Sequence, residues 1–246
     1  MPIVQADQIN YAALSQQDSW CQLVPARPAA NRDAYFSSVP LLHHFDGNNV
    51  PVVGAAFTGS PAFTSANALF GQSYDNTAGT TTGQPTSSSA TYCIGGGDYT
   101  AEVWARLTTA PPGSSATVFV LRGTDTATQI QIAADSGSGA WVCIVSDSPV
   151  SSVVVSNSAA WALGVWTHLA LVRSGNSHQF FVNGVGQGSV SNSYRPTPGS
   201  TSILVGNVVS GFPFPFVGLL DDLRLTSGFA RYTANFTPPP GPFPNF

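Results

Sequence analysis

The sequence predicts an all-β protein, a sandwich or barrel, with an N-terminal arm and a proline-rich C-terminal tail. Three observations carry that expectation. Gly, Pro, Ser and Thr supply 93 of the 246 residues, lysine is absent and Glu102 is the only glutamate, so helices are expected to be few and short. Short β-branched and aromatic runs recur between turn clusters, the pattern of a sandwich or barrel. With 43% hydrophobic residues, the chain has apolar material for a large core that needs no disulfide framework.

Taken in order, residues 1–40 show no helical or strand period and read as an arm. Apolar side chains such as Ile3, Val4, Tyr11, Trp20, Leu23, Val24, Tyr35 and Phe36 have no register of their own, so the arm is expected to dock on a neighbouring subunit, the alternative being a strand or cap within the same domain. The domain is expected over 41–236, with 71–90 a loop rich in Ser, Thr and Gly. Alternation is clearest from Tyr99 to Leu107, where Tyr99, Ala101, Val103, Ala105 and Leu107 share one face and Thr100, Glu102, Trp104 and Arg106 the other. Further strands are expected over 116–121, 129–133, 141–145, 152–155, 166–173, 178–182, 202–205 and 217–225. Asn183-Gly184 between two such runs is the strongest hairpin signal, because both central residues readily take positive φ. In 217–225, strict alternation puts Leu219, Asp221, Leu223 and Leu225 on one face and Leu220, Asp222 and Arg224 on the other. The tail, 237–246, cannot pair inside a sheet because its prolines lack a donor, and is expected to run extended over the surface.

Composition narrows function. Charged residues make up 8% of the chain, against roughly 25% in ordinary domains. A net charge of -4 removes the electrostatic footing for nucleic-acid binding. No apolar run approaches the roughly 18–20 residues that span a bilayer, so membrane insertion is not expected. The segment Met1 to Asp7 has neither a basic start nor a hydrophobic stretch, so no signal peptide is expected. Cys21, Cys93 and Cys143 are far apart and outside CxxC spacing, and read as buried free thiols.

From Leu41 onward stand Leu41-Leu42-His43-His44-Phe45-Asp46-Gly47, Asp98 to Trp104, Trp166 to Asn176 leading into Phe180-Phe181-Val182-Asn183-Gly184, and Gly218 to Tyr232 followed by Asn235 to Pro239. In these runs and their order the chain resembles the laminin-G-like branch of the concanavalin A-like lectin/glucanase superfamily, in the form met in tailed-bacteriophage structural proteins. The resemblance implies a two-sheet antiparallel jelly-roll sandwich with one concave sheet. Its closing run, Gly228 to Pro239, implies a virion component.

Site by site, the glucanase branch cleaves glycosidic bonds with two carboxylates, one strand carrying Glu-x-Asp-x-x-Glu. Here Glu102 is followed by Val103, Trp104, Ala105 and Arg106, so that motif is missing, and no enzymatic activity is expected. His43, His44, His168 and His178 sit in no nucleophile motif. No cofactor is expected. Calcium is a weak candidate at Asp46, Asp75 and Asp98, whose turn-forming role is the simpler reading. Charges within strands are informative in a chain with so few: Glu102 and Asp222 are expected to pair with Arg173 or Arg224 across neighbouring strands. The loop Gly211 to Phe216, with Phe212, Phe214 and Phe216 alternating with proline, is a candidate interface together with Tyr11 and Trp20; the alternatives are that one or two of the rings fold back over the sandwich edge, or that they form a glycan platform. Trp141 is a candidate glycan contact.

The leading expectation is a non-enzymatic virion structural protein, a capsid decoration or tail-appendage module. It would be made in the host cytoplasm, displayed on the particle as a homo-oligomer, and held by major capsid or tail proteins. The alternative is a lectin-like module that recognises host surface glycans.

Overall fold

The alternating run at 99–107 forms the strand its pattern dictates. In a computed structural model, which describes residues 32–92, 94, 97–113, 115–123, 129–148, 151–191, 201–207 and 214–246, fourteen strands build two antiparallel sheets. They are β1 (Leu41–His43), β2 (Ala62–Thr64), β3 (Ser73–Asp75), β4 (Thr86–Ser89), β5 (Tyr99–Leu107), β6 (Ser115–Arg122) and β7 (Gln129–Asp135). These are followed by β8 (Ala140–Ser148), β9 (Ser151–Ala160), β10 (Trp166–Ser174), β11 (Ser177–Val182), β12 (Val185–Ser191), β13 (Thr201–Val205) and β14 (Gly218–Ser227). The larger sheet runs β12-β11-β10-β5-β14-β3-β2, with β1 also on β14; the smaller runs β4-β13-β6-β7-β8-β9. Helix among the described residues is confined to two 3-10 turns, Phe36–Ser38 and Ala90–Tyr92. The all-β, two-sheet architecture is therefore the one expected from the sequence.

The core lies between the sheets. Tyr99, Ala101, Val103, Ala105 and Leu107 of β5 meet Ile130, Ile132, Trp141, Cys143, Val145 and Ile203 of the opposing sheet. Cys143 is a buried free thiol, while Cys21 and Cys93 lie outside the described residues. At the hairpin, Asn183 (φ 50°) and Gly184 (φ 76°) both adopt the left-handed region and close β11 onto β12. Glycine is needed here for a second reason, since a Cβ at Gly184 would meet the Phe236 carbonyl oxygen at 1.9 Å.

Three features depart from the sequence reading. The 71–90 stretch is not wholly loop: it contributes β3 and β4 to different sheets. Strict alternation fails in β14, where a bulge between Asp221 and Arg224, with Asp222 at φ 46°, inserts one residue against β5. Leu220, Leu223 and Leu225 therefore all enter the core, while Asp221 and Arg224 stand opposite Trp104 and Glu102 on the other face. Finally, the proline-rich tail, extended at the surface, is anchored there, as are the residues just before it. Tyr232 and Phe236 pack on Ala170, Val172 and Phe181, and Phe243 is buried with Val39, Leu42 and Trp104. The segment after β14 thus covers the outer face of the larger sheet.

Candidate functional site

The cover over the larger sheet is fastened by a buried charge network. Glu102 on β5 is fully buried and all of its acceptor capacity is used. Oε1 accepts from Arg224 Nε at 2.9 Å and Nη2 at 2.8 Å; Oε2 accepts from Tyr232 Oη at 2.9 Å and His168 Nε2 at 3.2 Å. Arg224 also donates to Asp33 Oδ2 at 3.1 Å, and Arg231 closes a two-pronged pair on Asp33 at 2.8 and 2.6 Å. Three strands and both flanking segments meet in this network. A buried charge is tolerated only when it is so completely partnered.

A second clasp holds the end of the tail. His44 Nδ1 meets Asp222 Oδ1, His44 Nε2 meets Asn245 Oδ1 at 2.6 Å, and the Phe243 N–H donates to Asp222 Oδ2 at 2.6 Å. Both ring nitrogens face acceptors, so the ring is fully satisfied only as the imidazolium, with both N–H groups donating. Beside it, the Arg224 guanidinium lies 3.9 Å from the centroid of the Phe243 ring.

These groups give stability a definite pH dependence. Burial would raise the Glu102 carboxyl, but the Arg224 charge and the His168 hydrogen bond hold it down at about 2. Its contribution is complete above the ordinary value of 4.5 and is lost as pH falls toward 2. Burial would lower the His44 ring, yet the hydrogen bond to Asp222 and that group's charge raise it above the ordinary 6.5. That contribution is complete below 6.5 and is lost as pH rises through the raised value. Asp221, pushed up to about 7 by burial, costs stability as pH rises from 3.8 to about 7, while His43 and His178, lowered to about 4 by burial, restore it as pH rises from about 4 to 6.5. The melting temperature is therefore expected to fall below about pH 4, as Glu102 takes up its proton, and to fall above pH 6.5, as His44 loses its own, with opposing contributions from Asp221 and the two buried histidines in between. A thermal scan that is flat from acid to alkaline pH contradicts this.

The sheet face offers no catalytic pair. Asp221 is fully buried, accepting from Phe70 N at 3.1 Å and Ser73 Oγ at 2.8 Å, and Asp222 is spent on His44 and the tail. The expected partners of the in-strand charges need correction. Asp222 is met by a histidine and a backbone N–H, because the bulge turns it toward His44 and the tail. Arg173 stands opposite Tyr99 and His178, away from Glu102, and donates to the Gly97 carbonyl at 2.6 Å.

The other expected site residues are scattered. Trp141 is 1% exposed and fills the core, so it cannot touch a glycan. Phe216 is also a core residue, at 0% exposure, because it immediately precedes β14 and turns inward; it is removed as an interface candidate. Phe214 is half-buried, and Tyr11, Trp20 and Phe212 lie outside the described residues. Asp46 accepts from Gln72 N at 2.8 Å, Asp75 from Thr77 N at 2.8 Å and Asp98 from Gly175 N at 2.7 Å, three loop-pinning bonds at three separate places. Among the described residues, no group of three or more His, Cys, Asp or Glu side chains is placed to hold a metal ion.

The open feature is a cleft of about 590 Å³ at the end of the sandwich where β4 and β14 terminate. Its walls carry five hydroxyl side chains, Ser37, Ser38, Ser89, Thr91 and Ser227, together with Val39, Pro40, Val53, Gly54 and Ala55. One wall is pinned from behind: Tyr92 Oη accepts from the Ala55 N–H at 2.9 Å and bonds Ser87 Oγ at 2.9 Å. Gly54 sits at φ 112°, where a Cβ would meet Tyr92 Oη at 2.9 Å. Ser89 Oγ and Thr91 Oγ1 are paired at 2.7 Å. Two residues along the chain from Ser37 and Ser227 stand Tyr35 and Phe229, 39% and 44% exposed, with ring centroids 4.9 Å apart. Sequence reasoning missed this site. Serines and a Tyr-Phe pair distant in sequence leave no motif, and only the meeting of the two strand ends joins them.

Comparison with known proteins then supplies the relationship. Residues 78–229 match a laminin-G-like family described as the concanavalin A-like lectin/glucanases superfamily. The chain belongs to this superfamily. No curated protein sequence matches it. Among solved structures, this laminin-G-like domain is similar to domain 4 of AbnA, a GH43 extracellular arabinanase from Geobacillus stearothermophilus solved with arabinotriose. That likeness has a TM-score of 0.62 at 19% identity, over 78% of this chain and 94% of that one. It is also similar to the binding domain of Paraclostridial Mosquitocidal Protein 1 (TM-score 0.57, 12% identity, 78% and 49% coverage). A third likeness is to the botulinum neurotoxin serotype D binding domain (TM-score 0.55, 10% identity, 79% and 49% coverage). The chain spans about half the length of those two toxin domains. At these identities the likeness is one of fold.

Proposed function

We propose that the chain is a non-catalytic glycan-recognition module, carried on the surface of a tailed-phage particle. The observation that carries the recognition reading is the hydroxyl-lined cleft beside an exposed aromatic pair, on a sandwich whose broad sheet face its own tail covers. A volume of about 590 Å³ suits a small saccharide. Hydroxyl side chains both donate and accept, as sugar hydroxyls do, and the exposed Tyr35–Phe229 pair, two residues along the chain from the lining Ser37 and Ser227, offers the apolar C–H face of a sugar ring something to pack on. The arabinotriose complex of AbnA domain 4 supports the reading by analogy of fold. The test is calorimetric titration of the purified protein with a panel of bacterial surface oligosaccharides. At least one is expected to bind, and Tyr35→Ala with Phe229→Ala to weaken it about tenfold, the loss of roughly 1.4 kcal/mol of stacking. No binding across the panel removes the reading.

The assignment to a particle rests on the resemblance of Gly228 to Pro239 to phage structural domains and on the apolar arm. In this reading the arm, with Tyr11 and Trp20, and the loop holding Phe212 and Phe214 attach a homo-oligomer to capsid or tail proteins, leaving the cleft outward. Fractionating infected cells tests it: the chain is expected to sediment with heads or tails, and a variant lacking residues 1–31 to remain in the supernatant.

A further inference from the structure

We infer that the cleft takes neutral saccharides and discriminates against acidic ones, an inference that rests on the glycan-recognition reading and narrows it. None of the described residues that line the cleft is charged. The two cations nearest Ser227 in the chain are already committed. Arg231, four residues beyond Ser227 and 5.4 Å from the Tyr35 ring centroid, spends Nη1 and Nη2 on Asp33 and its Nε on Thr226 Oγ1. Arg224 is likewise held between Glu102 and Asp33. A sialic or uronic acid entering here would lose the hydration of its carboxylate and find only serine and threonine hydroxyls in return. Recognition of a carboxylate depends on charge-assisted donors, ideally a forked guanidinium. The hydroxyls of a neutral sugar need no such partner. Ser89 and Thr91, already paired at 2.7 Å, present one fixed donor and acceptor set, and the wall behind Gly54 and Ala55 is braced by Tyr92. The lack of a free cation beside Ser227 follows from the fold, because Arg224 and Arg231 are consumed in fastening the segment after β14.

The experiment is titration with matched pairs that differ only in oxidation of the C6 hydroxymethyl group to a carboxylate: galactose against galacturonate, glucose against glucuronate, galactotriose against trigalacturonate. The neutral member of at least one pair is expected to bind about tenfold or more tightly than its acidic partner, the worth of one unmade charge-assisted bond. Ser227→Arg is expected to narrow or reverse that ratio by placing a free cation in the cleft. Should the acidic members bind better to the unaltered protein, the inference fails while glycan recognition stands. Absence of binding in every pair overturns the glycan-recognition reading itself. If neutral sugars are preferred but Ser227→Arg and the double substitution Ser89→Ala with Thr91→Val both leave affinity unchanged, the preference arises elsewhere and the assignment to this cleft is wrong. The double substitution keeps the test intact should the arginine variant fold poorly.

Discussion

Replacing Glu102 by glutamine is expected to lower the melting temperature by about 10 °C. The change keeps the shape of the side chain but leaves Arg224 and Arg231 sharing only Asp33, with Tyr232 and His168 facing a weaker acceptor. Breaking one partner out of a buried ionic network costs about 3–5 kcal/mol. At about 2–4 °C per kcal/mol for a domain of this size, the shift is large enough for any thermal assay. The network joins β5, β10 and β14 to the segments on either side of the sandwich, so the loss should be global. A shift below about 2 °C would mean that the tail is held by its aromatic contacts alone.

The second large effect is expected from Phe243→Ala. This ring is buried against Val39, Leu42 and Trp104 and lies under the Arg224 guanidinium, while its own N–H caps Asp222. Truncating a buried phenylalanine costs about 3–5 kcal/mol. Here the cost should be local as well as global, because the residue is the last buried anchor of the tail. The chain has no lysine, so trypsin can cut only at arginines, and Arg231 marks the start of the covering segment. The variant is expected to lose its tail at Arg231 under limited trypsin digestion that leaves the wild type uncut at that residue. Equal resistance in both proteins would contradict the clasp.

How far the sequence foretells this arrangement differs from element to element. The run at 99–107 is legible because one face is wholly apolar for nine residues, and its observed ends coincide with the alternation. The hairpin at Asn183-Gly184 is legible because the dipeptide itself supplies the turn conformation. Strands of three or four residues, such as β1 to β4, are shorter than the period needed to recognise them, and β3 and β4 lie in a composition that reads as loop. The bulge at Asp222 leaves no trace in composition, yet it decides which carboxylate faces what. At the site, scarcity of charge draws attention to Glu102 and Arg224, which lie 2.8 Å apart. The partnership of His44 with Asp222 and Asn245 spans about the whole domain in sequence, and nothing local announces it. Trp141 illustrates the converse: an aromatic residue in a strand reads equally as ligand contact or core until its neighbours Cys143 and Val145 are seen facing the opposing sheet. The cleft was invisible for the same reason, since its walls come from four separate segments.

The covered sheet and the open cleft together divide the surface into a structural part and a recognition part, which a single footprint can examine. Hydrogen exchange should be followed with the tightest-binding oligosaccharide present and absent, alongside an assay of the same mixture for released reducing sugar. Protection is predicted at 35–40, 53–55 and 89–91, no change over β5 and β10, and an intact oligosaccharide. Protection centred on β5 and β10, or cleavage of the sugar that Asp222→Ala abolishes, would contradict the account.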